Sequence, residues 1–243
     1  MTGPAPAIHI PWVLDGGFEA MAKELLRIYF GTSGAAPFTG ALFQVIGGRG
    51  DAGEWRDVMR AEDALAVSAL SVNVPAQATV ALLERNASEI TDHLKEIPIG
   101  LDLVSDEADV SPGSPASELW AVLRHSVGLG PTTTSKLMAR KRPQLIPIYD
   151  SVVGWVLGLQ DSRGHWAGMR DAVRAGDGAL HRRAIELAKD AGVASEVSAL
   201  RVLDVVLWMH GSDPVRSHTI AVEQGLRAPS EPDRGTPPAR RRR

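Results

Sequence analysis

Apolar side chains recur at helical spacing along most of this 243-residue chain, and no stretch alternates apolar and polar residues with the two-residue period of a strand. The segment 17–30 shows the pattern, because Phe18, Met21, Leu25 and Ile28 lie three or four residues apart. The predicted helices are 17–30, a short one that begins at 38, 61–72, 75–85, 87–97, 115–127, 131–141, 147–159, 165–175, 180–191 and 195–210. The sequence therefore predicts an all-α protein of two packed helical lobes.

Two changes of composition predict the boundaries of these lobes. Residues 99–113 form an acidic, Pro- and Gly-containing connector between an N-terminal lobe, 1–98, and a second lobe, 114–227. Residues 228–243 are rich in Pro and Arg and poor in apolar side chains, so we expect a disordered basic tail.

The composition excludes several classes of protein and of site. No span of about eighteen uncharged apolar residues is present to cross a membrane, and the first residues do not resemble a signal peptide, so we expect a cytoplasmic protein. The chain has no cysteine, which excludes a cysteine-held iron–sulfur cluster, and we predict no other cofactor. None of the seven histidines has the i, i+4 spacing with a glutamate that zinc hydrolases use, so no metal site is predicted.

The formal charge of −3 lowers the expectation of tight binding to duplex DNA. Residues 229–243 hold five arginines and two acids, so the rest of the chain carries −6. This balance neither requires nor excludes a nucleic-acid partner. The sequence makes no prediction of the oligomeric state.

A glycine-rich turn before the predicted helix 131–141 is the first candidate site. Gly128 and Gly130 permit a tight turn and a close approach of the backbone to a partner, and Pro131 suits the first position of a helix. The amides of the first turn, with the hydroxyls of Thr132 and Thr133, would bind a phosphate at the positive end of the helix dipole. The alternative is a tight connection between helices with no ligand.

Basic side chains follow in the same helix. Lys136 and Arg140 are candidates for further phosphate contacts. The alternative for the run 140–142 is plain solvation, with a small stabilising effect at the negative end of the helix.

Asp150 is the candidate catalytic residue. A carboxylate that begins a helix in a cleft would activate water for attack at a sugar carbon, or stabilise the positive charge that develops as a base departs. The alternative is an N-cap, which satisfies free amides at the helix start and contributes about 1 kcal/mol. The two roles are compatible.

Residues 114–160 resemble the helix-hairpin-helix motif and following loop of the endonuclease III-like DNA glycosylases. The resemblance rests on Gly128, Gly130, Pro147 and the segment Asp150-Ser-Val-Val. It implies that Asp150 is the catalytic carboxylate. The Schiff-base lysine of the bifunctional members corresponds to Thr132, eighteen residues before Asp150, so the resemblance implies a glycosylase without lyase activity.

Three further segments resemble an uncharacterised bacterial protein family. They are Phe-Thr-Gly at 38–40, Ala-Arg-Lys-Arg-Pro at 139–143 and Arg-Val-Leu-Asp-Val-Val-Leu-Trp-Met at 201–209. This second resemblance implies no activity.

Asp204 interrupts a segment that is apolar on almost every side, so its carboxylate is predicted to be buried. A buried carboxylate needs a partner, and Arg201 lies one helical turn before it. We expect a structural ion pair. The alternative is a second acid that faces the same cleft as Asp150.

Three functions from different classes follow. The leading hypothesis is a monofunctional N-glycosylase-like enzyme acting on a nucleobase in DNA or a nucleoside. The second is a non-catalytic nucleic-acid-binding module that retains the hairpin. The third is a small-molecule enzyme or regulatory partner on the same scaffold, which the charge of −6 favours.

Overall fold

The computed structural model describes residues 8–34 and 36–229, and every regular element in these ranges is helical, with no strand. The all-α prediction is confirmed. The helices are α1 (Glu19–Phe30), α2 (Ala61–Ala66), α3 (Ala76–Val80), α4 (Ala87–Glu96), α5 (Pro115–His125), α6 (Pro131–Lys141), α7 (Ser151–Val156), α8 (His165–Asp190), α9 (Ala199–Ser212) and α10 (Pro214–Glu223). Short 3₁₀ turns occupy Trp12–Leu14, Thr39–Leu42, Gly53–Trp55 and Val67–Leu70, and a π-helical turn occupies Ala81–Arg85.

Several helix starts follow directly from capping residues. The side chains of Ser114, Asp150, Ser198 and Asp213 each accept a hydrogen bond from a backbone N–H in the first turn of the helix that follows. Pro131 takes the first position of α6, whose bounds are those predicted. Helix α8 is interrupted at residues 175–178, which fits the two separate helices predicted there.

The described chain divides into two compact units that differ from the predicted lobes. The first unit combines residues up to 37 with those from 149 onward, and the second comprises residues 38–148. The predicted connector 99–113 lies inside the second unit, where the Leu103 N–H donates to the Gln144 carbonyl at 3.0 Å. The difference arises because α1 packs on α8 and α9, a pairing of distant segments that a local change of composition does not reveal.

Each unit has its own core. In the first, α9 is buried along most of its length and packs against α1, α7, α8 and α10. In the second, α5 packs against α4 and α6, and α6 is buried on all sides after its first two residues.

Among the described residues no helix is long and apolar enough to cross a membrane. The predicted disordered tail falls mostly on residues 230–243, which lie outside the described residues.

Candidate functional site

The turn between α5 and α6 requires glycine at one of its two glycine positions. Gly128 has a φ of 88°, and a Cβ there would lie 2.8 Å from the Pro75 Cγ. The Leu129 N–H closes the turn by donating to the Ser126 carbonyl at 3.2 Å. Gly130 has an ordinary φ of −76° and open space where a side chain would stand. The backbone around Gly130 is therefore open to a partner, whereas Gly128 is fixed by conformation and packing. The helix-hairpin-helix identity of this turn stays a prediction.

The surface of this turn combines a helix start with exposed side chains. The Val127 side chain is 70% exposed, and Arg124 and His125 in the last turn of α5 are also exposed. The Arg124 guanidinium donates to the Leu129 carbonyl, which places a cation beside the turn. Arg124 was not among the predicted site residues, although the sequence shows it at a predicted helix end, four residues before Gly128.

The start of α6 supplies amide donors next to these side chains. Thr132 is partly exposed and Thr133 is buried. Amides in the first turn of a helix have no acceptor four residues before them. The Thr134 N–H, in contrast, already donates to the Gly130 carbonyl at 3.0 Å. The amides of Thr132 and Thr133 are thus the donors that this helix start offers.

Lys136 and Arg140 lie away from any external phosphate. Both side chains are buried, at 3% and 0% exposure. The Lys136 ammonium donates to the Leu70 carbonyl at 3.0 Å. The Arg140 guanidinium donates to the Phe43 carbonyl at 2.5 Å and pairs with Asp63 at 3.3 Å. The predicted phosphate contacts of Lys136 and Arg140 are therefore wrong, because both side chains are buried and bind groups inside the second unit.

Arg140, Lys141 and Arg142 form a buried cationic cluster, and the expectation that they are solvated is wrong. Their exposure is 0%, 0% and 2%. Burial lowers the pKa of all three, and the charges of Asp63 and Asp57 partly offset it. Lys141 lies 2.6 Å from Asp63, and Arg142 lies 2.6 Å from Asp57.

Most donors of the cationic cluster bind backbone carbonyls rather than carboxylates. The acceptors belong to Phe43, Ile46, Gly48, Gly50, Trp55, Arg56, Leu94 and Ile97. Six of these residues lie in the loop 43–57, which has little regular structure to satisfy its own carbonyls. Gly50 fits closely, since a Cβ there would lie 2.6 Å from the Arg140 carbonyl oxygen. The cluster holds this loop in place.

Asp150 is the N-cap of α7, as one of its two predicted roles requires. Its Oδ1 accepts a hydrogen bond from the Val152 N–H at 2.8 Å, and its side chain is partly exposed. The preceding Tyr149 packs on Gly154, where a Cβ would lie 2.9 Å from the tyrosine ring. Burial raises the pKa of Tyr149, and the charges of Asp161 and Asp150 raise it further. The carboxylate of Asp150 is therefore positioned by a backbone amide, and its charge acts on the neighbouring Tyr149.

Asp204 forms the predicted buried ion pair with Arg201. The same guanidinium donates to the Tyr29 hydroxyl at 2.6 Å and lies 5.3 Å from the centre of that ring. Burial raises the pKa of Tyr29; Arg201 opposes the shift, and the charges of Asp204 and Asp150 add to it. Asp150 and Asp204 thus act electrostatically on one tyrosine in the first unit. Asp204 is only 5% exposed, so its role is that of the partner of Arg201 in a structural ion pair.

The predicted site residues are divided between the two units. Asp150 and Asp204 belong to the first, and Gly128, Gly130, Thr132 and Thr133 to the second. Within the described ranges, no group of three or more His, Asp or Glu side chains is arranged to hold a metal ion.

Comparison with known proteins assigns the chain to a family. The family described as "Family of unknown function (DUF6308)" matches residues 22–211. The chain belongs to this family. The match to DUF6308 includes α6, Asp150 and Asp204, so the turn, the cationic cluster and both acids lie within the shared region. No curated protein and no solved structure matches the chain.

Proposed function

We propose that this protein is a monofunctional N-glycosylase-like hydrolase that acts, in the cytoplasm, on a nucleobase in DNA or on a nucleoside. The observation that carries the proposal is the Asp150 carboxylate, which is partly exposed and held by the Val152 amide at the start of α7. Its position after a Gly-x-Gly turn and a proline-containing loop is that of the glycosylase carboxylate in the resemblance described above.

The chemistry assigned to Asp150 is assistance of hydrolysis at the sugar carbon that bears the base. Its carboxylate would accept a proton from water as the water attacks, and its negative charge would stabilise the cationic sugar as the base leaves. Thr132 occupies the position of the lyase lysine, and a hydroxyl forms no Schiff base. The reaction should therefore end at an abasic site or a free sugar.

The turn between α5 and α6 supports a nucleic-acid partner. The amides of Thr132 and Thr133 lie at the positive end of α6, and the exposed Arg124 adds a cation beside them. Phosphate binding at such a helix start orients a nucleic acid without reading its sequence.

Base release from damaged duplexes, single strands and free nucleosides tests this proposal. The native protein is expected to release at least one base, and the product strand should break only after alkali treatment. Efficient strand cleavage without alkali would contradict the predicted absence of lyase chemistry, and no release from any substrate would contradict the enzyme class.

A non-catalytic nucleic-acid-binding module is the second candidate. Two observations favour it: the space at Gly130 is open, and Val127 and Arg124 are exposed. Together they form a candidate binding surface to which Asp150 does not contribute. Gly130→Val should be tolerated by the fold and should cover the amides. Three results together would favour this second function. Gly130→Val should lose binding, Asp150→Asn should bind as tightly as the native protein, and neither the native protein nor Asp150→Asn should release a base.

A small-molecule function is supported by the charge of the second unit. Residues 38–148 carry fourteen acids and ten basic residues, and four of those basic residues, Lys136 and the cationic cluster, are buried. Phosphate contacts weaken steeply between about 50 and 200 mM salt. A ligand affinity that stays constant over that range would favour a small molecule over a nucleic-acid backbone.

A further inference from the structure

Two segments of the second unit contain no charged residue. Residues 38–48 and 64–83 hold no Asp, Glu, Lys, Arg or His, although charged residues make up 23% of the chain. Exposed positions normally carry most of the Lys, Glu, Arg and Asp of a protein. A surface built from these segments is therefore depleted of charge, as the centre of a protein–protein interface is.

Two contacts hold the first of these segments beside α2 and the 3₁₀ turn that follows it. At one end, the Thr39 hydroxyl donates to the Ala69 carbonyl at 2.9 Å. At the other end, a Cβ on Gly47 would lie 2.7 Å from the Glu62 Cβ, so the two backbones are close. The two stretches of chain therefore run side by side in opposite directions.

Three aliphatic side chains between these contacts are exposed, and we call Leu42, Val45 and Leu65 the apolar face. Each of the three residues is 50–56% exposed. Leu42 and Val45 lie between the two contacts on one stretch of chain, and Leu65 lies between them on the other. The three therefore share one region of the surface. Grouped apolar side chains with no charge among them are typical of interaction sites.

The backbone under the apolar face is held from inside the second unit. The Arg140 guanidinium, which is buried, donates to the Phe43 carbonyl at 2.5 Å and to the Ile46 carbonyl at 2.8 Å. The Phe43 side chain is itself fully buried. Leu42 and Val45 therefore project from a fixed backbone, and a partner has little to order when it binds.

Charged residues at the edge of the apolar face are paired with each other. The Arg60 Nε donates to the Glu62 carboxylate at 3.1 Å, and the same guanidinium lies 5.2 Å from the centre of the exposed Trp55 ring. Arg49 pairs with Asp51 at 2.7 Å. These pairs add no net charge to the edge of the face.

This lack of net charge decides between the possible occupants of the apolar face. A nucleic acid needs cations against its phosphates. Surfaces that bind anionic lipid combine their apolar side chains with Lys and Arg. The two charge-free segments supply neither. A second copy of the face offers the same apolar chemistry, and two uncharged faces meet about a two-fold axis without repulsion.

From these observations we propose that the apolar face is the contact through which two copies of this chain form a two-fold dimer. In this contact Leu42, Val45 and Leu65 of one copy cover the same residues of the other, and Trp55 extends the contact at its edge. The inference goes beyond the proposed function and is independent of it, because none of these residues takes part in base release.

Sedimentation velocity of the full chain over a range of concentrations tests the inference. The native protein should change from monomer to dimer as its concentration rises. Leu65→Glu should raise the dissociation constant of the dimer more than about a hundredfold, because the new charge enters a two-fold contact twice. The matched control is Ile185→Glu, which should dimerise like the native protein. Ile185 is equally exposed, at 52%, but Arg182 and Lys189 lie one helical turn to either side of it.

Mixing variants of opposite charge tests the two-fold geometry. Leu65→Lys alone should dimerise as poorly as Leu65→Glu, and an equal mixture of the two should recover association, because unlike charges then meet across the axis. Both variants should unfold at temperatures close to native, since the substituted side chain is exposed. The affinity of the native dimer should not fall between about 50 and 500 mM salt, because no ion pair crosses the face.

Several results would overturn the inference. One is a native protein that stays monomeric at every concentration. Others are a dimer that Leu65→Glu leaves intact, or a loss in Leu65→Glu that the mixture does not restore. Monomeric native protein that sediments with phosphatidylcholine vesicles, when Leu65→Glu does not, would assign the apolar face to a lipid surface instead. If a monomeric native protein releases a base, the proposed function stands and this inference fails.

Discussion

Gly128 and Gly130 lie two residues apart, yet the structure places different requirements on them. Gly128 has a φ of 88° and contacts Pro75, whereas Gly130 has a φ of −76° and no neighbour within 4 Å of a Cβ. Gly128→Ala should therefore lower the free energy of unfolding by about 2 kcal/mol. Gly130→Ala should change it by less than about 0.5 kcal/mol, because the lost freedom of the unfolded chain offsets a weaker cap. Urea unfolding of the two variants checks this, and equal losses would contradict it.

Tyr29, which accepts a hydrogen bond from Arg201, makes the free energy of unfolding depend on pH. Burial raises its pKa above the ordinary value, so the folded protein keeps the phenol protonated where the unfolded chain would ionise. The stability that this contributes is fully present below about pH 10 and is lost as the pH rises through the folded pKa. Burial also raises the pKa of Tyr149, so both tyrosines of the chain contribute to this loss.

Tyr29→Phe isolates one of these contributions. Removing the hydroxyl takes an acceptor from Arg201, so the free energy of unfolding at neutral pH should fall by about 1–3 kcal/mol. The fall in stability between pH 9 and 11 should also be shallower than in the native protein. Unfolding measured across about pH 7–11 tests both, and an unchanged alkaline slope would refute the role given to Tyr29.

Local patterns predicted some of these residues and missed others. The cap at Asp150 and the Arg201–Asp204 pair follow from spacing of three or fewer residues, which sequence shows directly. The burial of Arg140 could not be predicted, because its acceptors at 43–48 are more than ninety residues away. Arg124 could have been predicted from its position at a helix end beside the turn, whereas the exposure of Trp55 has no local signal in the sequence.

At the scale of elements, α6 is unusual because its last two residues and its C-cap, Arg142, are buried cations. Arg140→Met would remove the guanidinium that donates to the carbonyls of Phe43 and Ile46, and would take away one of the two buried cations that pair with Asp63. The expected loss in unfolding free energy is about 3–5 kcal/mol. Arg85→Met removes an exposed arginine of the same unit and should cost less than about 0.5 kcal/mol. Thermal or urea unfolding of both variants measures these losses. A small loss of unfolding free energy in Arg140→Met would contradict the structural role of the cluster.

Helix boundaries were predictable where a cap or a proline defines them. Pro131 fixed the start of α6, and Ser114 that of α5. Helix α7 begins at Ser151 rather than at the predicted residue 147, because its N-cap, Asp150, has an extended backbone, and it ends at Val156 rather than at 159. Helix α10 was not predicted, although Asp213 and Pro214 supply a cap and a first residue.

At the scale of the whole molecule, the division into units was the part that sequence could not supply. The first unit combines described residues from before 38 and after 148, whereas the change of composition that predicted the boundary between the lobes, at 99–113, lies inside the second unit. Asp150 belongs to the first unit, and the turn at Gly128 and Gly130 belongs to the second. Asp150 and the turn are therefore each tested by their own variants.

The central claim is that the charge of Asp150 promotes base release beyond its role as a cap. Single-turnover base release by Asp150→Asn tests it most directly, because asparagine caps a helix as well as aspartate and removes only the charge. Asp213→Asn is the matched control, since Asp213 caps α10 through the same kind of bond to the Arg216 N–H. The account predicts a rate loss of about 10²–10⁴-fold for Asp150→Asn, native rates for Asp213→Asn, and unfolding free energies close to native for both. Base release at the native rate by Asp150→Asn would contradict it.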